Sequence, residues 1–197
     1  MRSIARLPLI ALLCCCAAAL PSSPAAAQGR PNPEALLKAQ REAMKPLSFI
    51  EGVWRGEAST LRDGKWHSIV QAERMGPMLG DTVKVIEGRG YEPDGRTSFN
   101  ALGIVSYNPA TKAYTIRSYA MGLAGDFPLT PRADGFVWET PAGPGAIIRF
   151  TATVRNGTWH EVGERIAGDS PPVKTFEMRL RRLGPTTWPV GEPVAPR

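Results

Sequence analysis

Beyond one run near its start the chain has no cysteine: all three, Cys14, Cys15 and Cys16, are consecutive. The remainder therefore has no disulfides, thiol nucleophiles, thiolate metal sites or redox motifs, and its stability rests on burial. Histidine is nearly as scarce. His67 and His160 are the only two, and neither has an Asp or His at metal-ligand spacing, so each reads as a solvated strand residue. Gly-x-Ser-x-Gly is missing and no Ser–His–acid set stands out, which leaves serine hydrolysis unsupported. Basic residues are scattered, and the one dense cluster, Arg179-Leu180-Arg181-Arg182, has no interleaved aromatics. Nucleic-acid binding calls for such a stripe. These absences point away from an enzyme, a cofactor and a nucleic-acid partner.

The N-terminus reads as a targeting segment. Arg2 and Arg6 give a positive start, Leu7 to Leu20 an apolar core, and Ala25-Ala26-Ala27 the small residues of a cleavage site. The apolar run, broken by Pro21, is too short for a stable membrane span of about 20 residues. Cleavage after Ala27 would send the protein to the periplasm or outside the cell. Lipidation at Cys14 to Cys16 is disfavoured by Leu13, since lipid-attachment sites carry a small residue before the cysteine. Losing Arg2 and Arg6 lowers the formal charge from +6 to +4, a mild excess typical of a soluble surface. The remaining chain, about 170 residues, is one domain's worth.

Residues 28–46 read as a linker and a helix. Asn32 can cap, Pro33 suits the first turn and Glu34 favours the positive dipole end; the helix should end near Lys45, stopped by Pro46. Its narrow apolar stripe suits a helix laid across the end of a barrel.

Residues 47–183 then read as an antiparallel meander. The expected strands are Val53–Leu61, Trp66–Met75, Thr82–Gly90, Thr97–Tyr107, Lys112–Met121, a weak stretch near Phe127, Phe136–Thr140, Ala146–Arg155, Thr158–Ile166 and Val173–Arg182. Turn signals cut them apart: Asp63-Gly64, Gly76-Pro77, Pro93-Asp94-Gly95, Asn108-Pro109, Asp134-Gly135 and Asn156-Gly157. Nine or ten strands returning on themselves must stack or close to hide their edges. A Pro-rich tail, 184–197, follows.

Asn156-Gly157 is specific enough to set a register. A two-residue loop pairs Arg155 with Thr158, Val154 with Trp159, Ala152 with Glu161, Phe150 with Gly163 and Arg149 with Glu164. Ile148, Phe150, Ala152, Val154 and Trp159 then share a buried face, with Arg149 and Glu164 as an exposed ion pair opposite. Glu161 falls on the apolar side, where a carboxylate must find a partner or raise its pKa. Between Lys112 and Ala120, Tyr114 and Ile116 oppose Arg117 and Tyr119, so neither face is purely apolar.

The order of these features resembles the lipocalin-like, or calycin, barrels. Leu47-Ser48-Phe49-Ile50-Glu51 leads into Gly52-Val53-Trp54, and arginines lie in the last strand. The resemblance implies that Trp54 packs across a closed barrel end near Arg179, Arg181 or Arg182. Within that class the chain resembles a secreted bacterial group known only as a domain of unknown function. The matching residues are Ala101-Leu102-Gly103-Ile104, Ser106-Tyr107, Trp159-His160-Glu161, Gly163-Glu164 and Glu177-Met178-Arg179-Leu180. A more distant likeness is to the nitrobindin-like haem barrels, which open Gly-x-Trp-x-Gly-x-Gly. Gly52, Trp54 and Gly56 match, Ala58 replaces the last glycine, and His160 is the one late histidine. The hairpin register sets His160 opposite the apolar face, against that reading.

The expected fold is therefore an all-β antiparallel meander barrel of nine or ten strands with a short N-terminal helix. The expected role is noncovalent binding of a small hydrophobic or amphipathic ligand in the lumen, by Trp54, Glu73, Arg117, Tyr119, Trp159 and Glu161. Arg117 and Glu161 would orient polar groups, Arg117 as a bidentate fork. The bland alternatives are an exposed strand face for Arg117 and Tyr119, a structural Glu161–arginine pair, and a filled barrel serving as a structural or protein-interaction module.

Overall fold

The computed structural model describes residues 32–186. The expected leader, its cleavage and lipidation sites, and the tail beyond Thr186 lie outside the described residues. Helix α1 spans Pro33–Met44, with the Asn32 side chain accepting the Glu34 backbone N–H at 3.0 Å. The α-helix ends at Met44, next to the expected Lys45, and Pro46 lies just beyond it. The chain tightens there into a 3₁₀ segment, Lys45–Ile50, because proline fits an early helical position, where no N–H bond is lost.

Ten strands follow: β1 (Gly52–Arg62), β2 (Lys65–Met78), β3 (Val83–Tyr91), β4 (Thr97–Asn108), β5 (Ala113–Ala120), β6 (Leu123–Arg132), β7 (Gly135–Pro141), β8 (Ala146–Arg155), β9 (Thr158–Ala167) and β10 (Val173–Gly184). Each pairs antiparallel with the next, and β1 pairs with β10 to close the barrel. Closure leaves no sheet edge for another chain to extend. Among the described residues no helix is long and apolar enough to cross a membrane.

Two expected boundaries are corrected. β2 continues through Gly76 and Pro77, which pair with Val85 and Lys84; proline's φ suits extended chain near a strand's end. The weak stretch near Phe127 is a full strand, paired with β5 and β7 despite Pro128 and Pro131.

The register alternates in and out as a barrel demands. The β8–β9 pairs match those expected from Asn156-Gly157, whose φ values of 50° and 68° are what such a turn needs. The ion pair expected there is not made: Arg149 reaches the other way, to Glu139 Oε1 at 2.7 Å.

One end is plugged. Met44, Leu47 and Ile50 are buried with Trp54, Met75, Trp159 and Leu180. The Tyr114 hydroxyl donates to Ala43 O at 2.8 Å, and Gln40 Nε2 to Tyr107 O at 3.4 Å. The opposite rim carries the β1–β2, β3–β4, β5–β6, β7–β8 and β9–β10 turns and forms the mouth.

Candidate functional site

The Gly52-Val53-Trp54 motif builds the floor. Trp54 is 1 % exposed, donates its indole N–H to Ile50 O at 2.8 Å, and meets Trp159 edge-to-face at 5.9 Å. Among the three candidate arginines it is Arg182 that stands opposite Trp54 in register. Arg182 donates to Glu51 O and lies over Gly52, where a Cβ would come within 2.8 Å of its Nε.

Above the floor two carboxyls enter the lumen from β2 and β9. Glu73 is the partner of Trp54 on β1, and Glu161 that of Met178 on β10. The intervening inward positions on β1 are the small Gly56 and Ala58. Glu161 is 5 % exposed and accepts two indole N–H bonds, from Trp138 at 3.0 Å and Trp159 at 3.1 Å. Its expected alternative partner, an arginine, is replaced by these indoles. Glu73 is 8 % exposed, accepts from Gln71 Nε2 at 2.7 Å, and occupies the space left by Gly88.

Burial raises both carboxyls above the ordinary glutamate range. Glu73 is pushed to about 8 by desolvation, opposed by the Gln71 bond and reinforced by the negative charges of Glu161 and Glu87. For Glu161 desolvation outweighs the Trp138 and Trp159 bonds. The two acids are thus near enough to sense one another.

Aromatic rings continue toward the mouth. Trp138 stacks on Phe150 at 4.4 Å, Phe127 lies 6.2 Å from Trp138, and Phe150 meets Phe176 at 5.8 Å. Phe127, Trp138, Phe150 and Phe176 are partly exposed.

Four of the six expected site residues, Trp54, Glu73, Trp159 and Glu161, therefore meet inside. Arg117 and Tyr119 do not, and that expectation is corrected. Ile116 and Ser118 take the inward positions, opposite Val105 and Gly103. Arg117 bonds Tyr119 at 2.9 Å and Asp126 at 2.6 Å on the outer surface. Sequence reasoning missed Gln71, Gly88 and Trp138. A polar Gln71-x-Glu73 repeat on one strand face was the available signal for the first; the other two depend on non-local contacts.

His160 lies on the outside, its Nε2 2.9 Å from Glu177 Oε1, and so offers no axial ligand to a haem in the lumen. Among the described residues no three His, Asp or Glu side chains converge as metal ligands. An open groove of about 510 Å³ crosses the outer face of β2–β5, with Arg74, Met78, Glu87, Leu102 and Tyr119 in its lining. Its charges pair with one another, Arg74 and Arg89 both on Glu87. The two buried carboxyls with raised pKa values lie in the lumen, and the candidate site is placed there.

No protein-family model matches the chain, and no curated protein matches it. Among solved structures, the crystal structure of Rv2717c from M. tuberculosis is similar, with a TM-score of 0.53 at 11 % identity, covering 71 % of this chain and 96 % of that one. At that identity the likeness is one of fold: a closed antiparallel β-barrel.

Proposed function

We propose that this chain is a secreted or periplasmic barrel of the lipocalin-like, calycin type. In this reading it holds a small, partly apolar molecule in its lumen and does not transform it. The observation that carries the reading is the Glu73–Glu161 pair, buried in the wall among three indoles, with no cation beside it among the described residues. A core selected for stability alone would do better with apolar side chains at both positions. Strongly perturbed acids retained in a concavity mark binding or chemistry.

Native mass spectrometry of protein isolated from its own host tests the reading. A retained small molecule, released on denaturation and displacing a lipophilic dye, is the expected result. A barrel that is empty and also excludes the dye is a filled structural module, and the reading fails.

A further inference from the structure

Among the described residues the inward-register cations lie away from the acid pair, Arg62 and Lys65 at the exposed β1–β2 turn. Lys84 is bonded to Glu51 and Ser48 at the plugged end, and Arg182 is occupied at the floor with Glu51 O. His67 on β2 and Arg165 on β9 hold exposed rim positions at the mouth. From β3 the nearest charge is Glu87, itself paired with Arg74 and Arg89 on the outside. From β7 and β10 the neighbours are Trp138 and Met178, which carry no charge. Both acids are thus flanked by donors and rings and by no counter-ion.

The acceptor inventory is incomplete on one side. Glu161 has an indole N–H on each oxygen. Glu73 Oε1 takes the Gln71 amide, while Oε2 accepts from no other described residue. Among the described residues the only sealed side-chain polar atom without a partner is Ser98 Oγ, so Glu73 Oε2 is not fully sealed. Glu73 is more than nine-tenths buried, and its Oε2 makes no hydrogen bond among the described residues.

We propose that the lumen's occupant is an amphipathic primary amine, its ammonium held between Glu73 and Glu161 and its apolar tail lying along Phe127, Phe150 and Phe176 toward the mouth. This rests on the lumen-binding reading above. An ammonium supplies three donors and the missing positive charge, and the indole faces of Trp54, Trp138 and Trp159 add cation–π attraction. A fatty acid would bring a negative charge to two acids whose own ionisation burial already opposes. An alcohol could donate one hydrogen bond and brings no positive charge to favour the carboxylate form of either acid.

The proton balance gives the site a signature. Near neutral pH Glu73 keeps its proton, since burial holds its pKa near 8. An arriving ammonium favours the carboxylate, so the carboxyl O–H breaks, its electron pair stays on Glu73, and the proton passes to solvent. The amine keeps its own proton. Up to about one proton is released per amine bound below pH 8, and progressively fewer above it.

Calorimetric titration of the full protein with octylamine, octanol and octanoate, at neutral pH in two buffers of different ionisation enthalpy, tests this. Octylamine should bind about tenfold or more tighter than octanol, with octanoate weakest, and should show proton release. Glu73→Gln should abolish the release and most of the preference of amine over octanol. Equal binding of amine and alcohol without proton release overturns the amine assignment and spares the lumen reading. Failure of all three probes to bind, with the lipophilic dye also excluded, overturns both.

Discussion

Glu73 couples the barrel's stability to pH. In the unfolded chain its carboxyl titrates near 4.5, and in the fold near 8. Between those values the native state holds a proton that the unfolded state has lost, so unfolding releases it and stability falls as pH rises. Below about 4.5 both states are protonated and this contribution is constant; above about 8 the loss is complete, on the order of a few kcal/mol. Glu161 is shifted in the same direction. Glu177 acts oppositely: bonds from Lys174 and His160 hold it down to about 2, so its contribution is lost as pH falls below 4.5. It is well solvated, which keeps that limb shallow. Urea denaturation should therefore show higher stability near pH 5 than near pH 9, and Glu73→Gln should flatten the decline. An unchanged slope in the variant would mean that Glu73 titrates normally in the fold.

At the scale of the strand, the Glu73 carboxyl lies over β3 because Gly88 has no side chain. A Cβ at Gly88 would meet Glu73 Oε1 at 2.7 Å and Oε2 at 2.9 Å. In an open strand position alanine is better than glycine by about 0.5–1 kcal/mol. Here Gly88→Ala should instead cost roughly 1–3 kcal/mol, by pushing the carboxylate off its Gln71 bond. Combined with Glu73→Ala the clash disappears, so a double-mutant cycle by urea denaturation should give a coupling of about 1 kcal/mol or more. Additive effects would show that Glu73 does not rest on Gly88. The same contrast between local and distant causes decides what could be read from the sequence. The β8–β9 register was legible because Asn156-Gly157 fixes it locally, and with it Glu161's inward place. β6 was not, since Gly125, Pro128 and Pro131 erase the alternation that its partners restore. Arg117 and Tyr119 were misplaced because β5 is mixed on both faces, and only its pairing with β4 and β6 settles which side is in. The Trp138 bond to Glu161 joins residues 23 apart in sequence, beyond the reach of any local pattern.

The whole barrel is asymmetric along its axis. At one end the 3₁₀ segment seals the lumen with Leu47 and Ile50, and Trp54 and Trp159 are 1 % and 2 % exposed. At the other, the strands run out to polar turns, and Trp66 near the β1–β2 turn is 46 % exposed, with Lys174 over its ring. A binding lumen needs this polarity: a dry floor strengthens electrostatics around the acids, and a wet mouth admits the guest. Dynamic quenching separates the two environments. With Trp188→Phe in the background to restrict emission to the described indoles, iodide and neutral acrylamide should reach Trp66 readily, Trp138 partly, and Trp54 and Trp159 hardly at all. Adding Trp66→Phe should then remove most of the quenchable emission, whereas Trp54→Phe should remove protected emission. Phenylalanine retains most of the ring volume, so the second variant should fold with a loss of about 1–3 kcal/mol from the missing Ile50 bond and lost packing. If Trp54 quenches as fast as Trp66 in the folded protein, solvent enters past the 3₁₀ segment. The acids would then sit in a channel open at both ends, too well hydrated to hold a proton at neutral pH.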